Sequence, residues 1–457
     1  MIVNNPSRNF ISKWLQLVAV ITGTIGTISD GMQYGWTAPN IPKLRLDDSP
    51  IKIAKHDEEW IESIYMIGNT VGILFTIVYM KFMGRKPIII LAATKHVIAW
   101  MLIATATKIE VLYFARFLAG AAGNIAFVAL PMYVAEIADE SIRGFLGTFA
   151  YTSMILGVLV IYSIAPFTSI AISSSVGAAC VTLQILTFSF MPESPYYHII
   201  KGNQKAALKS LQIFRRKQDV YEELKDITSA VQRQEKEKGR IIDIFIVRSN
   251  LKAFIIAITL NFAQHFSGIS VLLMNVHTIL ADAESVIPAE TAPIIIAATM
   301  LIACIASSFT IDKFGRKILL VSSSILTGLS LIVLATYFYI KNSNSGTSDL
   351  NWIPVMSLIL YSLFFKFGLG MVPIVFLGEL FPTSIKAMAM SLINISYGVF
   401  GIASVYYYIH VSSLYGMHVP FFIFAGLCIF AALFSQLFIP ETKGKTLEEI
   451  QMMLKGM

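Results

Sequence analysis

Apolar residues come along this chain in long blocks, and the polar and charged positions gather in short breaks between them. A helix rises 1.5 Å per residue and the hydrocarbon layer is roughly 30 Å thick, so a block of about 20 apolar residues predicts a membrane-crossing helix. Six such spans are expected near 14–37, 61–80, 87–107, 111–133, 145–165 and 169–191. Six more are expected near 253–279, 291–311, 318–340, 352–378, 387–410 and 418–439. The two longest uncharged tracts, 144–192 and 387–440, must each turn back once, and Pro166 and the stretch from Tyr415 to His418 are the expected turns.

The one long water-compatible segment runs from Pro192 to Lys252 and divides the chain in two. Between Lys201 and Lys252 thirteen Lys or Arg stand against seven Asp or Glu, while Val220, Leu224, Ile227 and Val231 recur at helical spacing. That pattern predicts short amphipathic surface helices, one of them starting at Asp219 with Glu222 in its first turn. The expected organisation is a terminus over 1–13, a six-helix bundle over 14–191, a linker over 192–252, a second bundle over 253–439 and a tail over 440–457.

Composition agrees with a membrane protein. Hydrophobic residues make up 56% of the chain and charged residues 14%, against about 25% charged in a soluble domain. The run after Lys13 is too long for a removable leader and reads as the first span. The net charge of +7 does not indicate nucleic acid, because the basic residues sit in short loops. With the linker in the cytosol, the termini, the linker and the loops 81–86, 136–143, 312–317 and 379–386 hold 26 of the 35 Lys and Arg residues. The positive-inside rule then places the termini and linker in the cytosol. Cys180, Cys304 and Cys428 all fall in apolar runs, so neither a disulfide framework nor a metal site is indicated.

Loop motifs recur across the linker. Gly84-Arg85-Lys86 returns as Gly315-Arg316-Lys317, and Pro192-Glu193-Ser194 returns as Pro440-Glu441-Thr442. Glu136 followed by Arg143 returns as Glu379 followed by Lys386, at the same spacing. Recurrence at near-constant offset signals an internal duplication. Basic residues alone would serve topology, but glutamates at matched positions have no topological role. A charge network at the cytosolic ends is therefore expected, formed by Arg85, Glu136, Arg143, Glu193, Asp312, Arg316, Glu379, Lys386 and Glu441. Its expected role is to latch the two bundles together when that side is shut.

These motifs, with Arg116, Gly120 and Gly123, Gln264 through Gly268, Asp312 to Lys317 and Glu379-Leu380-Phe381-Pro382, resemble the sugar porter family of the major facilitator superfamily. Gly35-Trp36-Thr37 with Pro39 and Pro42, Asp57-Glu58-Glu59-Trp60 and Pro195-Tyr196-Tyr197 resemble its insect facilitated trehalose transporter branch. The resemblance implies an all-α membrane protein with twelve helices in two pseudo-symmetric bundles, a path between spans one, four, seven and ten, and no cofactor.

The departures from the family pattern gather where the solute is expected. Tyr151 stands for a sugar-contacting glutamine, His265 follows Gln264 where the pattern has a second glutamine, and Asn275 falls in the usual aromatic pair. Ile374 replaces a tryptophan of span ten, and Tyr397 precedes Gly398 where the family has Asn-Trp. Lys81 stands where the family has Asp. Gln264, His265, Asn275, Tyr151, Lys366 and Tyr397 are the candidate solute contacts. Gln264 has an equal reading as a helix–helix hydrogen bond.

Asp30, Lys95, Arg116 and Lys366 put charge inside apolar runs, where each needs a partner, an aqueous path or a route to the interface. Lys95 is read as snorkelling. Arg116 resembles the span-four arginine that proton-coupled members pair with a span-one Asp, a position assigned here to Thr37, which favours uniport over proton symport. Asp30 either replaces that partner, caps a kink beside Gly31 or pairs with Lys366, the last being the expectation carried forward.

The reading is a facilitative transporter of a sugar such as trehalose or a hexose, in the cell membrane, and not an enzyme, since no nucleophile–base pair stands out. The alternatives are a non-transporting nutrient sensor and a carrier of another polar or charged organic solute.

Overall fold

In the computed structural model, residues 6–47, 49, 51–139, 142, 146–236, 239–288, 290–343, 350–443, 445 and 447–456 are described. Every regular element among them is helical. Among the described residues, twelve helices are long and apolar enough to cross a bilayer, and one falls on each expected span. They are Lys13–Leu44, His56–Met80, Arg85–Thr105, Ile109–Ile137, Phe149–Phe167 and Ile170–Phe188 before the linker. After it come Arg248–Asp282, Ala292–Ile311, Arg316–Asn342, Ile353–Ile374, Met388–Tyr415 and His418–Phe438. Large apolar side chains such as Phe114, Leu186, Ile302 and Leu437 stay exposed on their outer faces, as a lipid-solvated surface requires.

Both expected turns form. A 3₁₀ turn at Ala165–Phe167 leads to Ser169, whose hydroxyl accepts from Ile172 N at 3.2 Å and caps the sixth span. The eleventh span stops at Tyr415 and the twelfth starts at His418.

Three spans are interrupted, and the interruptions shape the centre. Span one ends its long helix, Pro6–Tyr34, at Gly35-Trp36 and resumes as Thr37–Leu44. Span seven breaks between Arg248–His265 and Ile269–Asp282, with Gly268 at φ +88, a conformation that disfavours a Cβ. Span ten breaks between Ile353–Phe367 and Val372–Leu380. The break leaves the carbonyls of Leu369 and Gly370 free of helix bonds, and Gln264 Nε2 donates to both, at 3.0 and 3.2 Å. Such irregular backbone is tolerated at membrane depth where protein partners satisfy it.

Within each half the spans pack on one another: two and three on four and one on five, then nine on ten and twelve and eight on ten. Two long seams join the halves, span two against span eleven and span five against span eight. The outer piece of span one also packs on the outer piece of span seven.

The linker carries helices at Pro195–Ile200, Gln204–Arg215, Tyr221–Lys236 and Asp243–Ile246. Val220, Ile227 and Val231 bury together with Leu211, and Leu224 packs on them, so the expected stripe faces inward. The helix starts at Tyr221, two residues beyond the expected cap at Asp219. Arg215 anchors it, pairing with Glu223 at 2.7 Å and donating to Ile137 O at the end of span four.

Candidate solute path and linker-face network

On the face away from the linker, side chains bridge the two halves. Tyr34 donates to Ser270 at 2.9 Å, Thr37 to Met274 O at 3.2 Å and Tyr162 to Leu273 O at 2.5 Å. Asn275 donates to Glu62 Oε2 at 3.2 Å. Spans one, two and five of the first half are thereby tied to the second piece of span seven, Ile269–Asp282, on that face. Asn275 is part of this contact between the halves, and Glu62, a carboxylate in an apolar run, carries no motif that marks it in the sequence.

Deeper in, an arc of polar and aromatic side chains crosses between the halves. Ser270 Oγ lies 2.8 Å from His265 Nδ1, and the His265 ring meets Tyr397 edge-on at 4.1 Å between centroids. Tyr397 and Tyr151 are neighbours across the two halves, and the Lys366 ammonium stands 5.8 Å from the Tyr151 ring centroid. His265 Nε2 is buried without a hydrogen-bond partner. Of the six candidate contacts, the structure brings His265, Tyr151, Tyr397 and Lys366 together. Gln264 is engaged with the broken span ten, the helix–helix reading of that residue.

The expected pair of Asp30 with Lys366 does not form. Asp30 Oδ1 accepts from Tyr65 at 2.9 Å and lies 3.7 Å from His96 Nε2, all inside the first half. Asp30 turns toward spans two and three, Lys366 toward the Tyr151 ring of span five. Lys95 sits over the Tyr79 ring at 5.3 Å, while its neighbour His96 is fully buried.

Thr37 does not face Arg116 either. Arg116 Nη1 donates to Gln33 O at 2.5 Å and to Gln33 Oε1 at 3.1 Å, and its guanidinium lies 4.5 Å from the Tyr65 ring and 5.3 Å from Trp36. Asp30 and Gln33 are three apart on one helix and share a face, so span one presents an acid and an amide to the same cluster. Thr37 lies past the Gly35-Trp36 bend, at the interface with span seven.

On the linker face the repeat of sequence becomes a repeat of geometry. Arg85 grips Glu136 through Nε at 3.1 Å and Nη2 at 2.8 Å; Arg316 Nη2 meets Glu379 at 3.1 Å. Glu193 accepts from Lys86 N at 3.2 Å, and Glu441 accepts from Arg316 N and Lys317 N at 3.0 Å each. In both places a carboxylate caps the start of the third or ninth span and satisfies its open N–H groups. The glycine before each cap leaves room: a Cβ on Gly84 would lie 1.9 Å from Glu193 Oε2, and on Gly315 2.7 Å from Glu441 Oε2. Thr442 adds a bond to Glu379 at 2.6 Å.

Each of these ion pairs joins residues of the same half, so the expected latch between halves is not what they build. They fix the ends of spans within a bundle. Arg143 and the side chain of Asp312 lie outside the described residues. Burial lowers the Lys386 pKa while the nearby Glu379 raises it. The two caps differ electrostatically. Burial pushes the Glu193 carboxyl up despite its backbone donors. Burial also raises Glu441, but the N–H groups of Lys443, Arg316 and Lys317 outweigh it and hold the carboxyl below the usual range.

Residues 15–454 match the family described as "Sugar (and other) transporter". The chain belongs to this family. Among its relatives, the facilitated trehalose transporter Tret1 of Polypedilum vanderplanki is 29% identical over 99% of this chain and 91% of its own. Tret1 of Anopheles gambiae is 28% identical over 99% of this chain, which spans 58% of that relative's length. The fold is that of the proton:xylose symporter XylE bound to 6-bromo-6-deoxy-D-glucose, with a TM-score of 0.79 at 21% identity, covering 96% of this chain and 99% of that one. XylE from E. coli in an inward-open conformation gives 0.78 at 20% identity, with coverage of 96% and 99%. This family member is therefore a multi-pass membrane protein of the major facilitator fold.

Proposed function

We propose that this chain is a facilitative carrier of a sugar such as trehalose or a hexose, resident in the cell membrane with its termini and linker in the cytosol. The observation that carries the reading is the central arc from Tyr34 through Ser270, His265, Tyr397 and Tyr151, assembled from both halves beneath the bonds that join them on the face away from the linker. Its hydroxyls and imidazole donate to and accept from sugar hydroxyls, and its rings offer faces to the C–H side of a pyranose. Rocking of one bundle on the other along the two seams would part the Tyr34, Thr37 and Tyr162 bonds and expose the arc to the far side.

Uniport is supported by Gln33. The group that hydrogen-bonds Arg116 from span one is a neutral amide, which takes up no proton at physiological pH, while Asp30 of the same cluster is engaged by Tyr65. The names of the trehalose transporter relatives agree with this mode. Uptake of labelled trehalose and glucose into proteoliposomes, with and without an imposed proton gradient, tests the proposal. Saturable uptake of either, unchanged by the gradient, is expected; uptake that appears only with the gradient refutes uniport.

A further inference from the structure

Among the described residues, six Asp, Glu, Lys or Arg side chains are buried: Asp30, Glu62, Arg85, Arg116, Arg316 and Lys366. Five are accounted for. Arg85 and Arg316 hold Glu136 and Glu379. Asp30 takes the Tyr65 hydroxyl, Glu62 takes Asn275, and Arg116 has two oxygens of Gln33 and two ring faces.

Lys366 is the exception. Only 4% exposed, it has, among the described residues, neither a carboxylate within ion-pair distance nor any hydrogen bond; its ammonium stands over the rings of Tyr151 at 5.8 Å and Phe365 at 5.6 Å. Aromatic faces attract a cation but do not neutralise it. The residue lies in the last turn of Ile353–Phe367, where helix carbonyls favour positive charge without supplying a counterion. Tyr151 belongs to the other half, so the ammonium sits at the interface between the halves, next to a ring that neighbours Tyr397 and so adjoins the central arc. A second unsatisfied polar group belongs to the same arc: His265 Nε2, on a side chain 1% exposed.

We propose that Lys366 is the anion subsite of the solute path, and that the solute class taken at this site is a monosaccharide-sized polyol bearing a carboxylate, a uronic acid being the simplest example. The inference rests on the carrier reading above and replaces its neutral sugar with an acidic one. Tyr151, Tyr397 and His265 engage the hydroxylated ring, and Lys366 pairs with the carboxylate that no protein side chain supplies. A neutral sugar leaves the ammonium unpaired in a low-dielectric site, whereas an anion is the partner it lacks.

The carriage of an anion moves charge, which a neutral sugar does not, so the test is electrical as well as chemical. The full chain is reconstituted in proteoliposomes, and uptake of labelled glucuronate and of glucose is measured at a set membrane potential, alongside solid-supported membrane currents. Saturable glucuronate uptake exceeding that of glucose, with a current whose size follows the potential, is the expected result. Lys366→Met should lower glucuronate uptake at least tenfold and remove the current, and Lys366→Arg should keep both measurable. If Lys366→Met does not fold, the solute ratio and current of the unaltered chain and of Lys366→Arg decide the matter. Uptake of glucose without glucuronate overturns the anion subsite and leaves the carrier reading standing. Uptake of neither overturns both, and glucuronate uptake unchanged by Lys366→Met overturns the role of this residue.

Discussion

The hydroxyl of Tyr65 donates to Asp30 across 2.9 Å, and the same ring lies 4.5 Å from the Arg116 guanidinium. One aromatic side chain thus serves the acid by its polar tip and the base by its face, which is how two buried charges in the first half coexist without a direct ion pair. Tyr65→Phe keeps the face and removes the tip. It should lower the unfolding free energy by about 1–3 kcal/mol, the cost of leaving a buried acceptor short of a donor, as read by thermal unfolding of the purified protein in detergent.

Asp30 and Lys366 act independently in this arrangement. Asp30→Asn and Lys366→Met should add in the double mutant to within about 0.5 kcal/mol. A double mutant that recovers stability would mean that the two charges sense each other.

The caps Glu193 and Glu441 predict opposite pH dependences. Burial raises Glu193, so its contribution is present at low pH and is lost as pH rises through its folded pKa. Glu441 is held below the usual range by backbone donors that outweigh its burial, so its contribution is present above the ordinary glutamate pKa and is lost as pH falls. Unfolding midpoints measured between pH 3 and 7 should lose acid sensitivity in Glu441→Gln and sensitivity to rising pH in Glu193→Gln.

On the face away from the linker, hydroxyls donated across the halves hold the two bundles together. Tyr34→Phe with Tyr162→Phe removes two of these bonds and, under the carrier reading proposed above, should shift the chain toward opening on that side. With the three native cysteines changed to serine and Met274→Cys as reporter, an impermeant maleimide applied opposite the linker should react several-fold faster in the doubly substituted protein. Equal rates would show that packing alone holds the bundles together on that face.

Much of this fold was legible in the sequence because length and hydropathy alone decide membrane spans. The turns at Pro166 and after Tyr415 and the buried stripe Val220, Ile227, Val231 followed from local chemistry. The repeated Gly-Arg-Lys and Pro-Glu motifs pointed to matching corners, and those corners share one capping geometry. What the sequence did not carry was which spans face each other at a given depth. Asp30 finds Tyr65 and His96 from spans two and three, neither marked by any motif, rather than Lys366. Arg116 finds Gln33 instead of Thr37 because the bend at Gly35-Trp36 carries Thr37 away from span four. The in-bundle geometry of Arg85 with Glu136 and of Arg316 with Glu379 likewise needed three-dimensional placement, since matched spacing says only that the charges share a face.

The central claim is that the two halves form a carrier whose solute site is exposed to one side at a time. Counterflow measures this most directly: proteoliposomes preloaded with unlabelled solute are diluted into a trace of the same labelled solute. A carrier predicts that label inside rises transiently above its final equilibrium level, and that Tyr151→Ala with His265→Ala, which empties the arc, removes the overshoot. Label entry that rises without overshoot, or does not rise at all for any sugar or uronic acid offered, would contradict the account.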